Sequence, residues 1–240
     1  VYLKPLLAHG IDRFFHIGPA FRKSERGHLH ATEFTILEWY RAFSDFNLLI
    51  LDCIDLLSSV FKEFSNGNLP VKLSVYPENI EQNVKIFSIK EVFLTLAGWN
   101  PIEEKDERRF ERDLVEKIEP ALAKYPVTIL KDYPSWAASL ARICEKDKRI
   151  CERFELYLQG IELANGFSEL LDPLEQKLRF QEENKKRISL GHPPIEMPEG
   201  FLSALDRCPP SAGIAMGVDR LLMIILRVDH IDRLIPPFNI

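Results

Sequence analysis

Phenylalanine and isoleucine crowd the run from Arg13 to Phe21, and a second β-prone run from Glu33 to Phe43 follows a polar loop. Side chains of a strand alternate between two faces, so Phe34, Ile36, Glu38 and Tyr40 fall on one face of the second run. Two such runs joined by a charged loop predict an antiparallel hairpin. Ahead of it, Tyr2 to Ala8 reads as a helix ended by Gly10. Behind it, Asp45 is placed to cap an amphipathic helix that reaches about Phe64.

Residues 66–124 carry Gly, Pro and Asn punctuation, two helical patterns and a charged stretch, Glu103 to Arg112, that suits a solvated helix face. They predict a helical insertion with no chemistry of its own. Val127 to Leu130 and Phe154 to Leu158 predict strands, and Ile161 to Phe167 a further one in which Gly166 marks a bulge or a close backbone approach. Pro173 to Leu190 predicts a helix with proline near its start, and Gly191 to Pro198 a surface connection. Gly213 to Gly217 then reads as a short strand and Val218 to Arg227 as a buried helix. Strands that pair mainly as hairpins, with helices clustered between them, indicate an α+β fold around an antiparallel sheet. Residues 1–240 read as a single domain.

With 46% hydrophobic and 28% charged residues among 240, the chain can bury one sizeable core. No apolar run approaches the ~20 residues that span a bilayer, and no leader opens the sequence, so a cytoplasmic protein with no membrane partner is expected. The chain opens on Val1 rather than Met, and further residues upstream are expected. A net charge of −5 disfavours a nucleic-acid partner, which would bring a basic surplus. Cys53, Cys144, Cys151 and Cys208 form no CxxC pair and read as reduced structural thiols; the His28 and His30 pair is a weak metal signal.

Chemistry enters with three separated segments. The first holds Phe21-Arg22-Lys23-Ser24-Glu25, then His30, then Glu33 to Tyr40 (EFTILEWY). The second holds Glu155 and, seven residues later, Glu162 to Leu170 (ELANGFSEL); the third is Gly213 to Arg220 (GIAMGVDR). Together they supply two guanidinium forks for phosphate oxygens, an aromatic face for adenine, carboxylates for magnesium and a Gly-rich strand feeding a helix. Singly, each has a plainer explanation: Arg22 and Arg220 as structural ion-pair residues, Phe34 as a core aromatic, Asn165-Gly166 as a turn.

In this order and at these distances, the segments resemble motifs two and three of the class II aminoacyl-tRNA synthetases, of the lysyl type. The resemblance implies an α+β catalytic domain with an antiparallel sheet flanked by helices, ATP and Mg2+ as co-substrate and cofactor, and a homodimer. By position it makes Arg22 the arginine that holds the α-phosphate and the substrate carboxylate, and Phe34 the ring stacked on adenine. Glu25 and His30 would lie in the loop that closes over the nucleotide. Arg220 would clamp the far end of the triphosphate, with Gly217 letting the backbone come close and Leu163 offering backbone contact. Glu155 and Glu162 would bind magnesium. Glu38, Tyr40, Asn165, Glu169 and Ala215 would surround the amino acid, with Tyr40 and Glu169 meeting its side-chain ammonium. The reaction implied is attack of the substrate carboxylate on the α-phosphorus of ATP, giving an aminoacyl adenylate.

Lysyl-tRNA synthetases carry an anticodon-binding barrel ahead of this domain, and no such segment is visible in the chain. The chain is therefore more similar to the ligases that attach (R)-β-lysine to a lysine of elongation factor P, with tRNA not expected as a partner. Ala215 agrees, standing where the synthetases have Gly and these ligases Ala. Departures are Ser24 for a usual Glu, Ala31 for a usual Asn, and Ser168, which is similar to the synthetase version. Motif one and the substrate loop after it would precede Val1. A lysyl-tRNA synthetase catalytic fragment and a synthetase-like binding module without activity remain the alternatives.

Overall fold

The computed structural model describes residues 3–23, 25–66 and 80–234. The predicted hairpin is present: β1 (Arg13–Phe21) pairs antiparallel with β2 (Glu33–Ala42), Arg13 opposite Arg41 and Phe21 opposite Glu33. The first predicted helix is a short 3-10 segment, Lys4–His9, stopped by Gly10 in the left-handed region at φ 82. Tyr2 lies outside the described residues.

Asp45 Oδ1 accepts the Asn47 backbone N–H at 2.9 Å and so caps α1 (Phe46–Asn66). Spacings of three and four bring Phe46, Leu49, Ile50, Cys53, Leu57 and Phe61 of α1 onto one buried stripe. Residues 67–79 of the predicted insertion lie outside the described residues. The rest is not wholly helical, which corrects the expectation. An edge strand, β3 (Val84–Ser88), precedes α2 (Ile89–Leu96), α3 (Glu107–Asp113), a π-helical stretch (Leu114–Ile118) and α4 (Glu119–Leu122). These helices form a second core in which Phe93 stacks on Phe110 at 4.7 Å. Thus the charged stretch is solvated on one side only.

β4 (Val127–Pro134), β5 (Ile150–Leu158) and β6 (Ile161–Ser168) extend beyond the predicted bounds. α5 (Pro173–Ser189) leads across the proline-rich connection to α6 (Glu199–Leu205), then β7 (Ser211–Gly217) and α7 (Val218–Leu226). Helix α6 went unpredicted because its seven residues are too few to show a period; Phe201, Leu202 and Leu205 seat it against Phe180 of α5. Among the described residues the sheet runs β1-β2-β7-β6-β5-β4-β3, antiparallel throughout except for β3, which lies parallel to β4 at the edge.

The late strand β7 sits between β2 and β6, and its alternation explains what it does. Ala212, Ile214 and Met216 are buried on the face covered by α1 and α7, while Gly213, Ala215 and Gly217 leave the other face without bulk. Gly166 on β6 is a close approach: a Cβ there would lie 2.6 Å from the Phe154 ring and 3.1 Å from Ile214 Cβ. Phe154 is fully buried, so the ring has nowhere to move. Gly166→Ala is expected to destabilise the fold by ~1–3 kcal/mol, read as a lowered urea midpoint at unchanged slope. An unchanged midpoint would show that the core there is loose.

Candidate active site

Four strands deliver one row of side chains. Glu38 on β2 is opposite Ala215 on β7, Ala215 opposite Asn165 on β6, and Asn165 opposite Glu155 on β5. Paired residues share a face, so these four line up across the sheet on the side where β7 is bare. A bulge adds a fifth. The β5–β6 register shifts so that Leu156 faces Ala164 but Tyr157 faces Glu162, leaving Leu163 unpaired. Strict alternation from Asn165 would turn Glu162 to the core; the extra residue reverses that and turns it toward the site.

Above the row, over Ala215 and Asn165, lies an open cleft. Arg22, Glu25, His30, Phe34 and Arg220 border it together with Glu162, Leu163, Asn165, Ala215 and Gly217. Arg22 stands over the Phe34 ring at 5.4 Å, and its Nη1 donates to Glu25 Oε2 at 3.2 Å. Ser24, between the two, lies outside the described residues. Arg220 is held from three directions: Nη1 donates to the Glu162 carbonyl at 2.7 Å, Nε to the Leu29 carbonyl at 3.2 Å, and Nη2 to His30 Nε2 at 2.8 Å. Burial and the Arg220 charge push the His30 pKa below the ordinary histidine value, which keeps the ring neutral and able to accept. His28 turns elsewhere and meets His230 edge-on at 5.1 Å, so the two histidines do not converge.

Glu155 is buried and already satisfied. Tyr133 and Tyr157 donate to its Oε2 at 2.5 and 2.6 Å, and Arg153 donates to its Oε1 at 2.7 Å. Glu162, pressed by burial and then by Glu155, has a raised pKa, opposed by Arg220 beside it. Glu119 on α4 is pushed up to about 7 by burial and then by Glu162 and Glu155. Among the described residues no three His, Cys, Asp or Glu side chains are arranged as a metal cage. The donor set still fits magnesium, which takes one or two protein carboxylates and fills its remaining positions with phosphate oxygens and water. Repulsion among Glu119, Glu162 and Glu155 adds to burial in raising these pKa values, and such a cation would relieve that part of the rise.

Deeper in the sheet, Tyr40 donates to Glu38 Oε1 at 3.2 Å. Burial, then the carboxylates of Glu169 and Glu38, raise its pKa, so it stays a neutral phenol. Glu169 is 2% exposed and its Oε2 forms an ion pair with the ammonium of Lys4. Lys4 was missed by sequence reasoning, because its partner is remote along the chain and no local pattern announces the pair. Arg153, Tyr133 and Tyr157 were missed as well. A signal existed for two of them: 153, 155 and 157 alternate along β5 and must share the face of Glu155. Ser168, by contrast, points away from the cleft, and its Oγ accepts the Phe46 N–H at 3.1 Å at the start of α1. Its identity follows from helix anchoring and carries nothing about substrate. Cys53 and Cys151 are buried free thiols, the latter raised by burial to about 12, which makes both inert.

A strand-borne row of polar groups beneath a cleft that gathers two arginines and an aromatic ring defines an adenylate-forming class II synthetase fold. The family model for tRNA synthetases class II (D, K and N) matches residues 1–238, and the chain belongs to that family. Class II synthetase domains are ATP-dependent ligases, and this protein is of that enzyme class. Among similar proteins is the elongation factor P (R)-β-lysine ligase of Proteus mirabilis, 36% identical over 243 residues, covering 98% of this chain and 74% of that protein. The ligase of the same name from Vibrio cholerae is 37% identical over 245 residues, covering 97% and 73%. Among the described residues no helix is long and apolar enough to cross a membrane.

Proposed function

We propose that the protein activates (R)-β-lysine as its adenylate and transfers it to a lysine side chain of elongation factor P. The observation that carries this reading is the continuity of the site. The cleft with Arg22, Phe34 and Arg220 is floored by Ala215 and Asn165; Glu38 pairs beside Ala215 and accepts from Tyr40, and the Tyr40 ring and Glu169 both lie over Gly213 of the same strand. Phosphate-binding cations thus adjoin a buried, acidic pocket suited to an ammonium. The shared name of the similar ligases supports the substrate and the acceptor.

Arg22, with its side chain 56% exposed at the cleft wall, is free to fork across an α-phosphate and a carboxylate. Phe34 would stack on the adenine, Arg220 would fix the terminal phosphate, and Gly217 would leave room for the nucleotide. Glu25 and the neutral His30 would close the loop side. Glu38 and Asn165 would orient the amino and carboxylate end, so that the carboxylate oxygen faces the α-phosphorus. Magnesium, held by Glu162 with Glu155 behind it and by ATP oxygens, would supply neutralisation of phosphate charge. No protein nucleophile is needed: alignment and charge placement supply the catalysis.

The deciding assay offers purified protein ATP, radiolabelled (R)-β-lysine, elongation factor P and lysine tRNA. Label is expected on the protein acceptor and not on the tRNA; the reverse result would assign the chain to the lysyl-tRNA synthetases. Ala215 is expected to set the choice of isomer, being one methyl in the floor between Glu38 and Asn165. Ala215→Gly should shift the β-lysine to α-lysine ratio of kcat/KM toward α-lysine by about tenfold or more, the worth of one methyl in a tight pocket. Equal ratios in both variants would remove Ala215 from the specificity argument.

A homodimer and a cytoplasmic setting complete the reading. The dimer is supported by the outer face of β1, an edge strand, where Phe15, Ile17 and Phe21 are 71%, 56% and 68% exposed. Such a row of apolar side chains on a sheet edge calls for cover.

A further inference from the structure

Lys4 has an unusual place for a charged residue. It is 3% exposed, carried on the 3-10 segment at the start of the described chain, and its ammonium reaches Oε2 of Glu169 while lying 5.2 Å from the Phe201 ring centroid. The other oxygen of the same carboxylate lies toward Gly213 of β7. A Cβ built on Gly213 would collide with Glu169 Oε1 and would fall 2.5 Å from the Tyr40 ring, so Oε1 sits over the bare strip of β7 beside Tyr40. One oxygen of the carboxylate is thus taken up by Lys4, while the other lies against the bare strip of β7 beside Tyr40.

We propose that Lys4 is a positioning residue for the lysine-like substrate, tying down Oε2 of Glu169 so that Oε1 is presented, ionised, to the incoming ammonium. This rests on the reading of Glu169 as the acceptor of that ammonium. The groups facing Glu169 are Lys4 from the 3-10 segment, Tyr40 and Glu38 from β2, and Cys208 from the loop before β7. Among these described groups Lys4 brings the positive charge. Burial raises the Glu169 pKa and the Lys4 ammonium works against that rise. Without Lys4 the buried carboxyl would hold its proton further up the pH scale, and a neutral acid pairs poorly with an ammonium.

The sign of the effect follows. The substrate side-chain ammonium keeps its proton up to about pH 10, so a loss of Glu169 ionisation is the step that pH reverses. In Lys4→Met, a neutral side chain of similar length, KM for the amino acid should rise ~10-fold at neutral pH and fall back toward the wild-type value by about pH 9. The wild type should stay flat over that range, KM for ATP and kcat at saturating amino acid should change little, and Lys4→Arg should restore most of the KM. A folded Lys4→Met variant with wild-type KM at every pH would overturn the proposal. So would a parallel loss of kcat and of ATP binding, which marks general damage.

A ligand-free readout covers the case in which Lys4→Met does not fold. Carbon-13 NMR of protein labelled at the glutamate side-chain carboxyl, with Glu169 assigned through Glu169→Gln, should show an ionised carboxylate at neutral pH in the wild type. A protonated one would overturn the proposal. Failure of the wild type to exchange pyrophosphate with any lysine analogue would overturn the substrate reading itself, whereas failure of the Lys4 role leaves that exchange intact.

Discussion

Arg22→Ala is expected to lower kcat for adenylate formation by ~100- to 1,000-fold, about 2.7–4 kcal/mol of transition-state stabilisation, while leaving the fold intact. Both halves come from its surroundings. The side chain is 56% exposed, it pairs with the half-exposed Glu25 at 3.2 Å, and it rests on the Phe34 ring. A surface pair of that kind contributes little to stability, so thermal unfolding should be near that of the wild type. Its position at the cleft wall puts the guanidinium where charge grows as the carboxylate attacks phosphorus. Arg22→Lys should recover only part of the rate, since an ammonium lacks the planar fork. Pyrophosphate exchange within about threefold of wild type in Arg22→Ala would remove this residue from the chemistry.

Glu169→Gln is expected to act on binding and on stability together. Loss of a buried, charge-assisted partner for the substrate ammonium should cost ~100-fold or more in kcat/KM for the amino acid, chiefly through KM. The same change strands the buried ammonium of Lys4 without its counter-ion, which destabilises by about 3–5 kcal/mol. The two effects separate in the double variant Lys4→Met/Glu169→Gln, where both charges are gone. Denaturant midpoints should return most of the way to wild type, and activity should not. Recovery of activity along with stability would show that Glu169 serves the fold alone.

Much of the framework was legible from local pattern. The β1–β2 hairpin followed from period-two alternation, the α1 start from Asp45, and the site row from three motif strings that a single sheet brings together. Most of the unread parts depend on partners far away in sequence; Arg153 and Tyr157, two positions either side of Glu155, are the exception. β3 is five residues long and exists because Val127 to Lys131 of β4 offers it an edge. Residues 150–153 became strand because β4 itself runs on to Pro134. Within the site, the tyrosines and arginine that occupy Glu155 and the lysine that occupies Glu169 are invisible to motif matching, which names the carboxylates and not what already holds them. The bulge was expected at Gly166 or else a close approach there; the approach is at Gly166, and the bulge is at Leu163.

The row that joins Glu38, Ala215, Asn165 and Glu155 spans four neighbouring strands whose sequences come from widely separated stretches. Sliding β7 by a single position would put Ile214 or Met216 where Ala215 belongs and bury the methyl-sized floor under a bulky side chain. Turnover therefore doubles as a gauge of register: a population that has collapsed, acquired its helices and paired its strands one notch out of line would look folded by circular dichroism and be silent in the assay.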